Sequence, residues 1–328
     1  MKKIIFLIFI FLFTNSSVFA KETINIAFTI DNNYPLYTML TINSILQNNV
    51  SDSDYNFYIV NNGISTWNKL KMKWFVESQG QQIHFIKTDT YEIDNGKNYF
   101  DESECKYITR IGTARILLPK LLPEDIKKVL YLDSDLICNH DISELFNMDL
   151  DGNYAAMVQN ITEVDDDFKS KLGDNNYHNS GVILIDLDKW RENNITSKLI
   201  DFLKNNKTSY PDQDAINIVL KGKIKTLNET WNKQVPELKH YEGIHYKYNI
   251  VHYISSCKPW KMDILLSKES KYSPLPLYYS KWKNSILFIY MPQIVMYNAY
   301  KKSVITCRNH IFMKNSLAID QIKYFLGK

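Results

Sequence analysis

A chain of 328 residues with 45% hydrophobic and 23% charged content has enough apolar material for a large α/β domain plus an appendage, which excludes a disordered or coiled-coil protein. The formal charge is +3 at pH 7, but twelve Lys or Arg stand against three acids from Lys258 onward, so the rest of the chain is net acidic. The four cysteines, Cys105, Cys138, Cys257 and Cys307, form no C-x-x-C pair and lack zinc-ligand spacing, which argues against a zinc module or a small disulfide framework.

Lys2-Lys3, the apolar run Ile4–Phe13 and the ending Val18-Phe19-Ala20 have the layout of a secretory signal cleaved before Lys21. The apolar run is short of the ~20 residues that span a bilayer. Export is therefore expected, with an uncleaved anchor as the alternative. Ile24–Ile30 reads as a strand, broken by Asp31-Asn32-Asn33-Tyr34-Pro35. Pro35 suits the first turn of a helix running to about Gln47. Asn56–Val60 is a second strand, Ser65 caps a helix through Ser78, and Ile83–Lys87 is a third strand. Thr109–Leu118 reads as a helix stopping at Pro119, and Val129–Leu132 as a buried strand ending at Asp133. Val182–Ile185 is a strand preceded by His178-Asn179-Ser180-Gly181, a helix runs from near Asp212 to Lys221, and Val251-His252-Tyr253 is a last short strand. Strands alternating with helices predict βαβ units and a mostly parallel central sheet with ligands at the carboxyl ends of its strands. The expected division is residues 1–20 as signal, 21–262 as the folded unit, and 263–328 as a basic, aromatic region whose composition suits a membrane surface, RNA, or equally an exposed Lys-rich face over an aromatic core.

Asp133 and Asp135 stand two apart just past an apolar strand. In extended geometry their side chains share a face, and two carboxylates so placed repel unless a cation lies between them. Hard oxygen ligands suit Mg²⁺ or Mn²⁺, and a His ligand tilts the choice toward Mn²⁺. The bland alternative is that one Asp caps a helix near Leu136 and the other is solvated. Asp212-Gln213-Asp214 ahead of Ala215-Ile216 reads, from spacing alone, as a helix N-cap with first-turn acids; contact with a sugar is the functional alternative. Lys258 is a phosphate-binding point charge or part of a solvated basic tail. No P-loop, G-x-G-x-x-G or G-x-S-x-G signature is present.

Taken together and in order, Ile26–Tyr34, Thr113-Ala114-Arg115-Ile116, Val129–Asp135, His178–Ile185, Asp212–Asn217 and His252 through Lys258-Pro259-Trp260 resemble glycosyltransferase family 8, which includes bacterial lipopolysaccharide galactosyl- and glucosyltransferases. The resemblance implies a GT-A fold, with a Rossmann-like nucleotide-binding domain. It also implies a Mn²⁺-dependent, retaining transfer of glucose or galactose from a UDP-sugar to a saccharide or glycolipid acceptor such as lipopolysaccharide core. By resemblance, Asp133, Asp135 and His252 hold the metal. Asp31, Asn33 and Tyr34 line the uridine pocket, and Lys258 meets the diphosphate. Arg115 and Asn179 surround the donor sugar, with Gln213, Asp212 and Asp214 as the catalytic cluster. Gln213 sits where a debated nucleophile lies; an amide is a poor nucleophile, so same-face displacement assisted by the leaving phosphate is at least as plausible. The sequence departs from the family at Ser255-Ser256-Cys257, where a Gly is frequent, and at Tyr107, where some members carry an acceptor-contacting His.

Two other classes compete. A haloacid-dehalogenase-like phosphatase also places Asp-x-Asp after a strand, but Asp133 is far from the first strand and Leu136-Ile137 replaces the usual Gly-Thr. A non-catalytic carbohydrate-binding relative is the other, opposed by the retention of Asp133, Asp135, His252 and Lys258. No nucleic-acid partner is expected. UDP-sugars are made in the cytoplasm, so the cytoplasmic face of the inner membrane is the alternative location to export.

Overall fold

The computed structural model describes residues 21–88, 110–161, 172, 176–206, 208–236, 247–254 and 258. The signal-like segment 1–20, Cys105, Tyr107, Thr109, Ser255–Cys257, Trp260, Cys307 and the basic region 263–328 lie outside the described residues.

The core is a seven-stranded sheet in the order β3-β2-β1-β4-β7-β6-β8, formed by Thr23–Ile30 (β1), Asp54–Asn61 (β2), Gln82–Lys87 (β3), Lys128–Leu132 (β4), Ala155–Gln159 (β6), His178–Asp186 (β7) and Ile224–Leu227 (β8). Its neighbours pair in parallel except at β7, which runs antiparallel to both β4 and β6. The expected mostly parallel sheet is therefore present, with one reversed strand. A second, three-stranded sheet joins Leu136–Cys138 (β5), Lys233–Gln234 (β9) and Ile250–His252 (β10) in the order β5-β10-β9.

The central strands are apolar because helices cover both faces. β1 is buried from Ile26 to Ile30, and Val129–Leu132 of β4 are wholly buried. One side is packed by α1 (Pro35–Leu46) and α2 (Thr66–Glu77), the other by α3 (Ile195–Asn205) and α4 (Pro211–Val219). Pro35 opens α1 where its missing N–H costs nothing, and Ser65 caps α2 by accepting the Asn68 N–H at 3.2 Å.

Two expected boundaries move. Pro119 does not end a helix. Residues Arg110–Thr113, Ala114–Leu117 and Leu118–Leu121 are three successive short helical segments, and Pro119 stands in the first turn of the last, where no N–H is needed. The strand read at Val182–Ile185 begins four residues earlier, so His178-Asn179-Ser180-Gly181 lies within β7. That segment is polar because it borders the cleft, and it is buried all the same. Several elements are absent from the sequence reading: β5, β6, β8, β9, α3 and the short helix Leu187–Glu192.

Candidate functional site

Strand pairing builds the site. Asp133-Ser134-Asp135 forms a bend between β4 and β5 rather than the extended segment that spacing suggested, and Leu136 continues as strand, so neither Asp caps a helix there. The β4–β7 ladder brings Gly181 beside Asp133, whose N–H donates to the Gly181 carbonyl at 2.8 Å. The β5–β10 ladder sets His252 opposite Leu136, and the Tyr253 N–H donates to the Asp135 carbonyl at 3.0 Å. Three segments distant in sequence thereby converge. One ligand atom each from Asp133, Asp135 and His252 lies within 4.8 Å of the others. The His252 Nε2 is 3.2 Å from Asp135 Oδ1 and 3.7 Å from Asp133 Oδ2.

The protonation of His252 follows from hydrogen-bond logic. The Gly181 backbone N–H can only donate, and it donates to the Asn179 side-chain oxygen at 3.0 Å. The Asn232 atom 2.8 Å from that oxygen must then be its Nδ2, which leaves Oδ1 facing His252 Nδ1 at 2.9 Å. Nδ1 therefore carries a proton. In the neutral imidazole, Nε2 presents a lone pair to the two carboxylates. Asp135 Oδ1, buried and without a hydrogen-bond donor, faces that lone pair. Lone pairs of N and O converging in this way fit a divalent cation. Gly181 is required for the packing: a Cβ there would lie 2.2 Å from His252 Cε1 and 2.9 Å from Asp133 Oδ2.

The charges around this corner are balanced by two buried cations. Lys258 donates to Asp135 Oδ2 and, at 2.7 Å, to the Tyr253 carbonyl. Burial works to raise the Asp135 pKa, but Lys258, joined by His252 whenever Nε2 also carries a proton, outweighs it and holds the carboxyl well below the usual range. Arg115 reaches Asp133 Oδ1 with Nη2 and Asp212 Oδ2 with Nε, each at 3.1 Å, and donates to the Ser180 carbonyl at 2.6 Å. Burial opposes its charge, yet Asp133 and Asp212 drive its pKa above the ordinary arginine value. One guanidinium thus links the Asp-Ser-Asp corner to the start of α4.

The second corner is equally determined. The Ser180 N–H donates to Gln213 Oε1 at 3.0 Å, which fixes that atom as oxygen, and Asn179 Nδ2 donates to it at 3.2 Å. Gln213 Nε2 then donates to the Tyr177 hydroxyl at 2.9 Å, and Tyr177 donates onward to Asp214 Oδ1 at 2.5 Å. The helix-cap reading of the two acids divides here. Tyr210 is the N-cap residue of α4, without a side-chain cap bond. Asp214 takes the capping task by accepting the Tyr210 N–H at 3.0 Å, while Asp212 accepts from Ser180 Oγ at 2.8 Å and pairs with Arg115. Burial pushes the Asp214 carboxyl up to about 6, against the opposing pull of the Tyr177 hydrogen bond.

Most of these groups border a cavity of about 270 Å³. Of the residues expected from sequence, Tyr34, Arg115, Asp133, Asp135, Asn179, Asp212, Gln213, His252 and Lys258 line it. Asp31, Asn33 and Asp214 do not. Asp31 accepts the Asn33 N–H at 2.7 Å in the turn after β1, and Asp214 lies behind Gln213. Burial, then Asp135, raises the Tyr34 hydroxyl pKa, so it stays protonated at the edge of the cleft. Sequence reasoning missed Asn232, Tyr177 and the steric role of Gly181. Tyr177 at least adjoins a recognised motif, whereas nothing local distinguishes Asn232.

Comparison with known proteins agrees with this geometry. The profile of "Glycosyl transferase family 8" matches residues 25–263. The chain is 29% identical to lipopolysaccharide 1,2-glucosyltransferase of Escherichia coli (strain K12), over 83% of this chain and 82% of that protein. It is 27% identical to general stress protein A of Bacillus subtilis (strain 168), over 80% of this chain and 95% of that protein. The structure superposes on galactosyltransferase LgtC, solved in complex with donor and acceptor sugar analogs, with a TM-score of 0.63 and 25% identity over 78% of this chain and 96% of that one. The architecture is thus the GT-A fold that the sequence led us to expect.

Proposed function

The chain belongs to glycosyl transferase family 8, and from that membership we propose a Mn²⁺-dependent, retaining transfer of glucose or galactose from a UDP-sugar to a saccharide acceptor such as lipopolysaccharide core. The observation that carries this reading is the convergence of Asp133, Asp135 and the His252 lone pair on the wall of the cleft. These three would hold the cation, which when bound stabilises negative charge on the departing diphosphate. Lys258, paired with Asp135 in the free protein, is placed to turn its ammonium toward the same phosphates. Tyr34 offers a ring and a neutral hydroxyl at the cleft edge for the nucleoside, with Asp31 and Asn33 shaping the turn beneath it. Arg115, Asp212 and Asn179 form the wall for the donor hexose.

Both ends of the Gln213 amide are engaged by the protein, its oxygen by Ser180 N–H and Asn179 Nδ2 and its nitrogen by Tyr177. This supports a same-face route over attack by Gln213. The acceptor hydroxyl oxygen bonds to the anomeric carbon as the carbon–diphosphate bond breaks, and its proton passes to the leaving phosphate oxygen. Gln213 then orients the sugar while Tyr177, anchored by Asp214, holds the Gln213 amide.

The test is UDP release by purified protein from UDP-glucose or UDP-galactose with Mn²⁺. It should cease in excess chelator and fall ~10²-fold or more in Asp133→Asn and Asp135→Asn, because charge stabilisation at the leaving group is lost. Full turnover in chelator would overturn the metal assignment. Release of inorganic phosphate from phosphomonoesters would favour the phosphatase, and saccharide binding without turnover the non-catalytic relative.

A further inference from the structure

Helix α2 carries two apolar faces, and only one is used to fold. Met72, Phe75 and Val76 are buried against β3 and α1. On the other side Trp67, Leu70 and Trp74 are 66%, 54% and 53% exposed. At 3.6 residues per turn this i, i+3, i+7 set occupies about 60° of arc, roughly opposite the buried face. No described element covers it. Two exposed indoles and a leucine in one stripe are costly in water and mark a surface that meets something apolar.

The charges indicate what it meets. Within α2, Lys69, Lys71 and Lys73 stand against the single acid Glu77. Lys71 Nζ lies 5.3 Å from the Trp67 ring centroid, so its stem runs along the indole while its ammonium projects past it. Lys73 keeps a long, exposed contact of 3.7 Å with Glu77, which contributes little. Indoles flanked by lysines match the boundary between headgroups and acyl chains, where tryptophan rings settle and ammonium groups meet phosphate. A second copy of the chain is a poor occupant, because a two-fold contact along so narrow a stripe would set lysine against lysine.

We propose that the Trp67–Leu70–Trp74 face of α2 docks the protein on an anionic lipid bilayer. The attachment is peripheral: no helix among the described residues is long and apolar enough to cross a membrane. It is also oriented. The α2 N-terminus is tied to the loop after β1, where Asn32 Oδ1 accepts the Ser65 N–H at 2.8 Å and the Asn68 Nδ2–H at 3.0 Å. That loop leads directly into Tyr34 at the cleft. Docking on α2 therefore holds the loop that leads into the cleft close to the lipid surface, which suits a lipid-linked saccharide acceptor. This last step alone rests on the proposed transfer reaction.

The experiment is co-sedimentation of the full chain with vesicles of phosphatidylcholine alone or rich in phosphatidylglycerol, at low salt. Binding should require the anionic lipid. The Trp67→Ser, Trp74→Ser double variant should bind ~10-fold or more weakly, from the indole area no longer buried. Lys71→Gln and Lys73→Gln should each cost ~5-fold. All are surface changes, so unaltered circular dichroism and thermal midpoint should accompany the loss. Vesicle binding needs no donor sugar, so its outcome is independent of the transfer reaction. Wild-type binding by the double variant would overturn the proposal and assign attachment to another part of the chain. A mass in solution that halves on Trp67→Ser, Trp74→Ser would overturn it in favour of self-association.

Discussion

Asn232 Oδ1 faces His252 Nδ1 at 2.9 Å, and the Asn232 amide can point no other way because its Nδ2 donates to the Asn179 oxygen. The orientation passes from the Gly181 backbone amide through two asparagines to one imidazole. Asn232→Ala should leave the fold intact and lower Mn²⁺ affinity by ~10–100-fold, the usual cost of losing the partner that orients a metal-binding His. Asn232→Asp, which keeps an acceptor at Nδ1, should recover most of that loss. Calorimetric or spin-resonance titration with Mn²⁺ reads both. Equal affinity in wild type and Asn232→Ala would remove Asn232 from this role.

Gly181→Ala should be more damaging than its single methyl suggests. The new Cβ would lie 2.2 Å from a ring that is itself buried, so His252 or β7 must move. We expect a loss of about 1–3 kcal/mol in urea unfolding, as for overpacked cores, together with weakened Mn²⁺ binding. A stable variant with normal metal affinity would show that the imidazole has room to shift.

Arg115→Lys should fail as a conservative change. Asp133, Asp212 and the Ser180 carbonyl draw on separate nitrogens of one planar fork, and an ammonium cannot span them. Both corners should suffer, so UDP affinity and turnover should fall together. A Lys variant that binds UDP normally while losing turnover would confine Arg115 to the sugar side.

Asp214 gives a pH signature of defined sign. Its folded pKa of about 6 lies above the ordinary value of 3.8. The folded state therefore holds the proton more tightly, and this contribution is present below pH ~4, lost as pH rises through about 6, and constant above. A shift near two units corresponds to about 3 kcal/mol at most. The stability of wild type relative to Asp214→Asn, measured by urea unfolding, should decline between pH ~4 and ~6.5 and then level. A flat difference across that range would refute the shift.

Legibility in the sequence varied with how local each signal was. β1, α1, β2, α2, β3 and β4 could be placed because apolar runs and their breakers, such as Pro35 and Ser65, are contiguous. The start of β7 could not, because His178, Asn179 and Ser180 are polar strand residues buried by hydrogen bonding rather than by apolar packing. Helix α3 was missed although Ile195, Leu199 and Leu203 recur at helical spacing. The site motifs were recognisable as an ordered set, yet spacing alone put Asp212 in a capping role that Asp214 performs. Asn232 carried no local signal at all. Its place depends on contacts 20 and 53 residues away along the chain.

The reversed strand β7 has a kinetic corollary. β1, β4 and β6 deliver their last residues or the ones just beyond to the cleft, whereas β7 delivers its first, so Gly181 meets Asp133 at one end of the β4–β7 ladder, just past Val182 paired with Leu132. β4 in turn reaches β1 across a large separation, Ile26 with Leu130. Closing such long loops is slow because the chain entropy is lost before the contacts that offset it form. Divalent-ion binding should therefore appear in the final phase of refolding, after most of the helical signal has returned, and should serve as a clock for completion of the sheet.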